Sequence, residues 1–267
     1  MIRIAIAGVG GRMGLALIES LNQTSGALLT GAIENPDSAM IGADSGDLAG
    51  IGRNNVMVSD SLNEVLDSID TLIDFSTAEA TIANVARCAQ EGVSMVIGTT
   101  GLDQPQLEAI KSAGNVIPIC MSSNFSTGVN LCYKLAEMAA KVLGDDADIE
   151  ITEAHHQHKL DAPSGTALSM GEIIASALGH SLEHVAVFDR VGCNDKRRKG
   201  TIGFSSIRAG DIVGDHTVLF AAEGERVEIT HRASNRKAFA LGAVRAAIWL
   251  DQKPPGLYDM QAVLAPN

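Results

Sequence analysis

Residues 2–14 read IRIAIAGVGGRMG, a short β-branched apolar run followed by four glycines within seven positions. A helical period takes over from Leu15 to Asn22. An apolar strand that runs straight into a glycine-rich turn and then a helix is the setting of a dinucleotide fingerprint. Glycines let the chain turn sharply and bring its amides close to a pyrophosphate, whose charge is favoured at the helix N-terminus. The spacing is irregular. In G-x-G-x-x-G counted from Gly8 the last position is Met13, whereas the glycines stand at 8, 10, 11 and 14. A plain structural turn is the alternative reading.

Working outward, Ile2 to Ala7, Leu28 to Glu34, Thr71 to Phe75, Val93 to Ile97 and Val116 to Cys120 read as strands. Several are apolar at nearly every residue, as strands covered on both faces should be. Helices alternate with them. Ser76 and Glu79 have capping-box spacing ahead of Ala80 to Gln90, and Gln104 to Ala113 precedes the fifth strand. The expected fold class is α/β, with a Rossmann-like, doubly wound parallel sheet over residues 1–126.

The pattern changes after a helix at about Thr127 to Leu143. Gly200 to Arg208, His216 to Ala222 and Arg226 to Arg232 read as strands joined by glycine-bearing turns, which predicts a second α+β domain, 127–235, with a mixed or antiparallel sheet. A final helix, about Arg236 to Leu250, is expected to return to the first domain with residues 236–267. The tail from Lys253 is proline-rich and is expected to run over the surface.

The 267 residues are enough for two modest domains, and 46% hydrophobic residues argue against disorder. A formal charge of −12 disfavours nucleic-acid and anionic-membrane partners, so an anionic ligand needs a local cluster of donors. No basic leader with a long apolar region opens the sequence, and Cys88, Cys120, Cys132 and Cys193 form no CxxC pair. A cytoplasmic protein is expected.

Glu34, twenty residues past Gly14, is placed to accept hydrogen bonds from adenosine ribose hydroxyls. Next to it stands Asn35 rather than a cation for a 2′-phosphate, although Arg12 lies in the loop. NADH is therefore at least as well expected as NADPH. Gly98-Thr99-Thr100-Gly101 and Ser122-Ser123-Asn124-Phe125 follow the fourth and fifth strands, at the edge where open α/β sheets bind ligands, and Phe125 is placed to pack against the nicotinamide. Ordinary polar loops are the bland alternative.

The densest chemistry is the run from Glu153 to Ala167, EAHHQHKLDAPSGTA, with three histidines and a lysine before a helix start. Amides around Gly165 and Thr166 make an anion site facing those cationic side chains, which suits a small dicarboxylate. Lys159 and His156 supply charge and donors, and a histidine exchanges protons at cellular pH. A metal site and a loop of surface histidines compete with this reading, but no cysteine motif completes a zinc set, so no metal is expected.

With those residues in view, the sequence resembles the dihydrodipicolinate reductase family. The resemblance runs in order through GVGGRMG, GTTG at 98–101, SNFSTGVN at 123–130, the histidine segment and GTIGFSSIRAGDIVGDH at 200–216, ending near Trp249. It implies a two-domain homotetramer that reduces 4-hydroxy-tetrahydrodipicolinate in diaminopimelate and lysine biosynthesis. It also implies cofactor contacts from Gly8, Val9, Gly10, Gly11, Arg12, Met13, Glu34, Asn35, Gly98, Thr99, Thr100, Ser122, Ser123, Asn124 and Phe125. By the same resemblance His155 is the proton donor or acceptor, Lys159 a second proton donor, and His156, Gly165 and Thr166 bind substrate. Asn35 departs from relatives that carry arginine there. A reductase of another small dicarboxylate, or a nicotinamide-sensing regulator without turnover, is the alternative.

Overall fold

A computed structural model of the chain describes residues 1–265. It shows two compact units, one made of Met1–Thr127 with the segment from Arg236, the other of Gly128–Asn235. In chain order the first unit contains β1 (Ile2–Ala7), α1 (Arg12–Asn22), β2 (Ala27–Ile33), α2 (Ser45–Leu48), β3 (Val58–Ser59) and β4 (Thr71–Asp74). Then come α3 (Ala78–Glu91), β5 (Ser94–Ile97), α4 (Gln104–Ala113) and β6 (Pro118–Met121). The second unit begins with α5 (Thr127–Leu143), β7 (Asp148–His155), α6 (Gly165–Ala177), α7 (Leu182–Val185) and β8 (Ala186–Val187). It ends with β9 (Ile202–Arg208), β10 (Gly214–Ala222) and β11 (Glu225–Ala233), after which α8 (Lys237–Leu250), β12 (Gly256–Tyr258) and α9 (Met260–Leu264) belong to the first.

The first unit is built on a seven-stranded sheet in the order β12-β6-β5-β4-β1-β2-β3, with every pairing parallel. Strand period decides which core each residue joins. On β1, Ile4 and Ile6 pack with Leu17 and Leu21 of α1 and Ala243 of α8, whereas Ala5 and Ala7 join Val85 of α3 and Ile110 of α4. Both faces are covered, which is why the strands read as apolar runs. Gly242 lets α8 close onto the β6–α5 connection, because a Cβ there would fall on the Phe125 carbonyl oxygen.

Two local expectations need correction. The N-cap of α3 is Thr77, whose side chain accepts from the Ala80 amide, while Ser76 instead donates its hydroxyl to Asp74 at 2.5 Å. The chain after Lys253 does more than skirt the surface. Residues 256–258 pair with β6, and Met260 and Val263 of α9 are buried, because the open edge of β6 offers a hydrogen-bonding partner that local proline content does not reveal.

The second unit carries a five-stranded mixed sheet, β11-β10-β7-β9-β8. β10 pairs antiparallel with β11 and β7, and β9 pairs parallel with β7 and β8. One face packs Ile149, Ile151, Phe204, Val218 and Phe220 against Tyr133 and Ala136 of α5 and Met170 and Ile174 of α6. Toward one end that same face turns polar. Residues in step with the apolar ones are Glu153 and His155 on β7, Ser206 and Arg208 on β9, and His216 on β10.

Candidate active site

In the first unit, parallel strands bring every carboxyl end to one edge. Gly8 follows β1 at φ +82°, a left-handed conformation that favours glycine, and a Cβ there would stand 2.7 Å from the Phe75 carbonyl oxygen. A Cβ on Gly14 would collide with the Gly8 oxygen, so the last glycine of the turn is needed for α1 to press against the strand. The irregular spacing thus answers to packing. Gly11 is the N-cap of α1 and provides no side-chain cap, which leaves the first amides of that helix for an anion. Burial and the neighbouring Arg12 guanidinium both lower the Arg236 pKa, so two cations share this region of the first unit.

The Glu34 carboxylate accepts from the Gly10 amide at 2.7 Å and from the Asn35 amide at 2.9 Å. Gly10 has no room for a side chain, since a Cβ would lie 2.6 Å from Met40 Sδ and 2.9 Å from Glu34 Oε2. Alongside is a cavity of about 410 Å³ whose walls include Gly8, Gly11, Glu34, Asn35, Phe75 and Ser76. Uncapped amides, a carboxylate at the end of β2 and a cleft between them fit a dinucleotide. Val9 is fully buried, so its side chain belongs to the core.

Asp74, fully buried at the end of β4, is a residue that sequence reasoning missed. It accepts from the Ser76 amide at 3.0 Å and Asn84 Nδ2 at 2.8 Å, with Thr81 Oγ1 at 3.3 Å, and Thr81 Oγ1 is hydrogen-bonded to Thr99 Oγ1 at 2.8 Å. This network fixes the loop walls at Ser76 and Thr99. A Cβ on Gly98 would fall on the Phe75 ring. Beyond β6, Ser122 Oγ donates to the Asn124 carbonyl at 2.9 Å, and Asn124 Oδ1 accepts from the Ser126 amide at 2.9 Å. The Phe125 side chain is 2% exposed and packs against Phe75 at 5.7 Å between ring centroids.

In the second unit His155 ends β7, and its Nδ1 stands 2.5 Å from Glu153 Oε2. Arg208 donates to both oxygens of Glu153, at 2.8 and 2.9 Å. Burial pushes the Glu153 pKa up, but hydrogen bonds from Arg208, Ser206 and His155 outweigh it and hold the group down at about 2. Burial lowers the His155 pKa, helped by Lys159 and Arg208 and opposed by Glu153. Lys159 lies in the turn after the strand, with its ammonium 2.9 Å from Asp161 Oδ1. Asp161 is mostly exposed, so this pair is weak and its ammonium can be recruited by an incoming carboxylate.

Ser164 caps α6 by accepting from the Ala167 amide, and its Oγ is 2.9 Å from His216 Nε2. No neighbour lies within 4 Å of where a Gly165 side chain would begin, so the first turn of α6 opens outward. His156 Nδ1 is buried without a hydrogen-bond partner among the described residues, a polar atom suited to a ligand group. His155, Lys159 and the start of α6 thus meet in one unit. His158 is exposed in the turn beyond β7. Glu153, Arg208 and His216 escaped the sequence reading, while Ser164 stands at the helix start read there; the period-two line Ile149, Ile151, Glu153, His155 was the available signal for the first.

Comparison with known proteins agrees with this geometry. Residues 2–125 match the profile described as dihydrodipicolinate reductase, N-terminus, and 128–264 the one described as dihydrodipicolinate reductase, C-terminus. A 4-hydroxy-tetrahydrodipicolinate reductase from Pseudomonas fluorescens is 58% identical over 265 residues, covering 99% of each chain. A dipicolinate-bound dihydrodipicolinate reductase from Paenisporosarcina sp. TG-14 superposes with a TM-score of 0.78 at 26% identity, covering 99% of this chain and 100% of that one. An amine dehydrogenase from Mycobacterium smegmatis, at 14% identity and a TM-score of 0.63 over 100% of this chain and 96% of that one, shares the fold. With both halves of the chain matched in order, and with the glycine turn and the histidine segment each in a formed site, the protein belongs to the dihydrodipicolinate reductase family.

Proposed function

We propose that the chain reduces 4-hydroxy-tetrahydrodipicolinate to tetrahydrodipicolinate, with loss of water, at the expense of NADH or NADPH. The observation that carries this reading is the buried Glu153–His155 pair, set in the same unit as Lys159 and the outward-facing N-terminus of α6. A reduced nicotinamide, if held by the first unit, would supply the hydride needed at C4 of the dehydrated substrate. The amides of Gly165 and Thr166, with His156, hold one substrate carboxylate. The Lys159 ammonium meets the charge that develops toward the ring nitrogen, and His155 delivers the proton to C3.

Gly8, Gly10, Gly11, Arg12 and Met13 would hold the pyrophosphate, Glu34 and Asn35 the adenosine ribose, and the loops at Gly98–Thr100 and Ser122–Phe125 the nicotinamide half. No cation stands at 35, so NADH is expected to serve at least as well as NADPH. A cytoplasmic homotetramer, with contacts through the strands of the second sheet, completes the proposal. The test couples the protein to a synthase that forms the substrate from pyruvate and aspartate semialdehyde. Loss of nicotinamide absorbance that requires this chain supports the assignment, and none with either cofactor refutes it.

A further inference from the structure

We propose that Glu153 is a positioning residue for proton exchange: it holds the His155 ring with hydrogen on Nδ1, so that Nε2 is the atom that gives and takes the proton. This rests on the reading of His155 as the proton donor and acceptor, and it names the atom and the residue behind it.

Glu153 occupies a position where strand period calls for an apolar side chain. On β7 the buried line runs Ile149, Ile151, Glu153, His155, and Glu153 is only 1% exposed. A buried carboxylate persists when its oxygens are paired, and these are. Arg208, beside it on β9, donates Nη2 to Oε1 and Nη1 to Oε2, while Oε2 also faces His155 Nδ1. Arg208 is itself fixed, since its Nη2 donates to the Asp161 carbonyl at 2.5 Å and its Nη1 to the Ile207 carbonyl at 2.7 Å. Glu153 held between two guanidinium donors is ionised and accepts only. Its imidazole partner must then carry hydrogen on Nδ1.

That leaves Nε2 as the exchanging nitrogen. A Cβ on Gly214 of β10 would come within 3.1 Å of it, so glycine at 214 keeps this side of the ring uncrowded. The groups around the ring divide by sign. Lys159 and Arg208 disfavour an imidazolium, Glu153 favours one, and Asp161 is paired with Lys159. His216 of β10 packs edge-on at 5.1 Å and is kept neutral, its pKa pushed down to about 3 by burial and then by His155. Glu153 therefore sets the tautomer and also keeps the protonated state within reach, the arrangement of a base oriented by a buried acid.

Long-range proton–nitrogen correlation on wild-type protein labelled with nitrogen-15 histidine, with His155 assigned from a His155→Gln sample, reads the tautomer directly. Hydrogen on Nδ1 is expected, and hydrogen on Nε2 overturns the inference. In Glu153→Gln, turnover should fall about tenfold or more with the KM of both substrates unchanged. The limb of the pH profile that follows His155 should move about one unit lower. A folded variant whose profile midpoint stays in place also overturns it. If Glu153→Gln does not fold, the wild-type tautomer alone decides. Full activity in His155→Gln would defeat the reading of His155 itself, whereas lost activity together with hydrogen on Nε2 would defeat only the role given to Glu153.

Discussion

The Gly10 amide donates to the Glu34 carboxylate at 2.7 Å, which ties the glycine turn after β1 to the end of β2. The residue proposed to hold the ribose thus also shapes the loop proposed to hold the pyrophosphate. Glu34→Ala should raise the nicotinamide KM about tenfold, as expected for a lost charged hydrogen-bond acceptor, and leave kcat nearly unchanged. Steady-state kinetics with nicotinamide varied gives the answer; a lower kcat at unchanged KM would contradict it.

Two glycines three positions apart in the same turn, Gly11 and Gly14, should behave differently. A Cβ on Gly14 falls on the Gly8 oxygen and Val9 Cα, whereas a Cβ on Gly11 meets only the Gly8 oxygen, at 3.4 Å. Gly14→Ala should destabilise the protein by about 3 kcal/mol or prevent folding, and Gly11→Ala by about 0.5 kcal/mol or less. Urea unfolding compares them. Similar losses in both would argue against close packing of α1 as the role of Gly14.

Asn35 donates its amide to Glu34 and leaves the end of β2 without a cation. Asn35→Arg should improve the KM for NADPH about tenfold relative to NADH, as one charged contact to a 2′-phosphate would. Initial rates with each cofactor measure the ratio. An unchanged ratio would show that the 2′-phosphate lies elsewhere.

His155→Gln should lower kcat by about 10²- to 10⁴-fold, the range of general acid–base catalysis, with nicotinamide affinity retained. On the proposed role of its ammonium in meeting substrate charge both before and during reaction, Lys159→Met should lower kcat and also raise the KM of the dicarboxylate. Kinetics with fluorescence titration of the cofactor separates these effects. Equal losses of turnover and cofactor affinity in His155→Gln would contradict its assigned place.

Acid should destabilise the second unit in two stages. His216 has a folded pKa of about 3 against an ordinary 6.5, so the unfolded chain binds more protons between those values. Stability therefore falls as pH drops below 6.5, with a slope of up to about 1.4 kcal/mol per pH unit. Glu153, at about 2 against 4.5, stabilises above 4.5, and that contribution is lost as pH falls toward 2. Thermal denaturation from pH 8 to 4 should show a flat region and then a decline. His216→Gln should flatten the decline between 6.5 and 4.5, and an unaltered slope would refute the assignment.

Much of the first unit was legible from residue order alone. The runs at 2–7 and 104–113 appear as β1 and α4 with the expected bounds, because apolar period and turn residues act within a few positions. β7 was hidden behind its two buried ionisable residues, which interrupt the apolar alternation. β12 was hidden because a three-residue edge strand owes its existence to the unpaired edge of β6.

By itself the sequence determined the α/β alternation, the glycine turn and the chemical inventory of the histidine segment, all consequences of neighbours along the chain. Only the tertiary structure decided which histidine is buried, which is exposed, and what each one touches. Glu153 and Arg208 lie 55 positions apart, and Ser164 and His216 lie 52 apart. Such pairs form through strand register and helix docking, which follow from burial of the whole sheet face rather than from any local propensity.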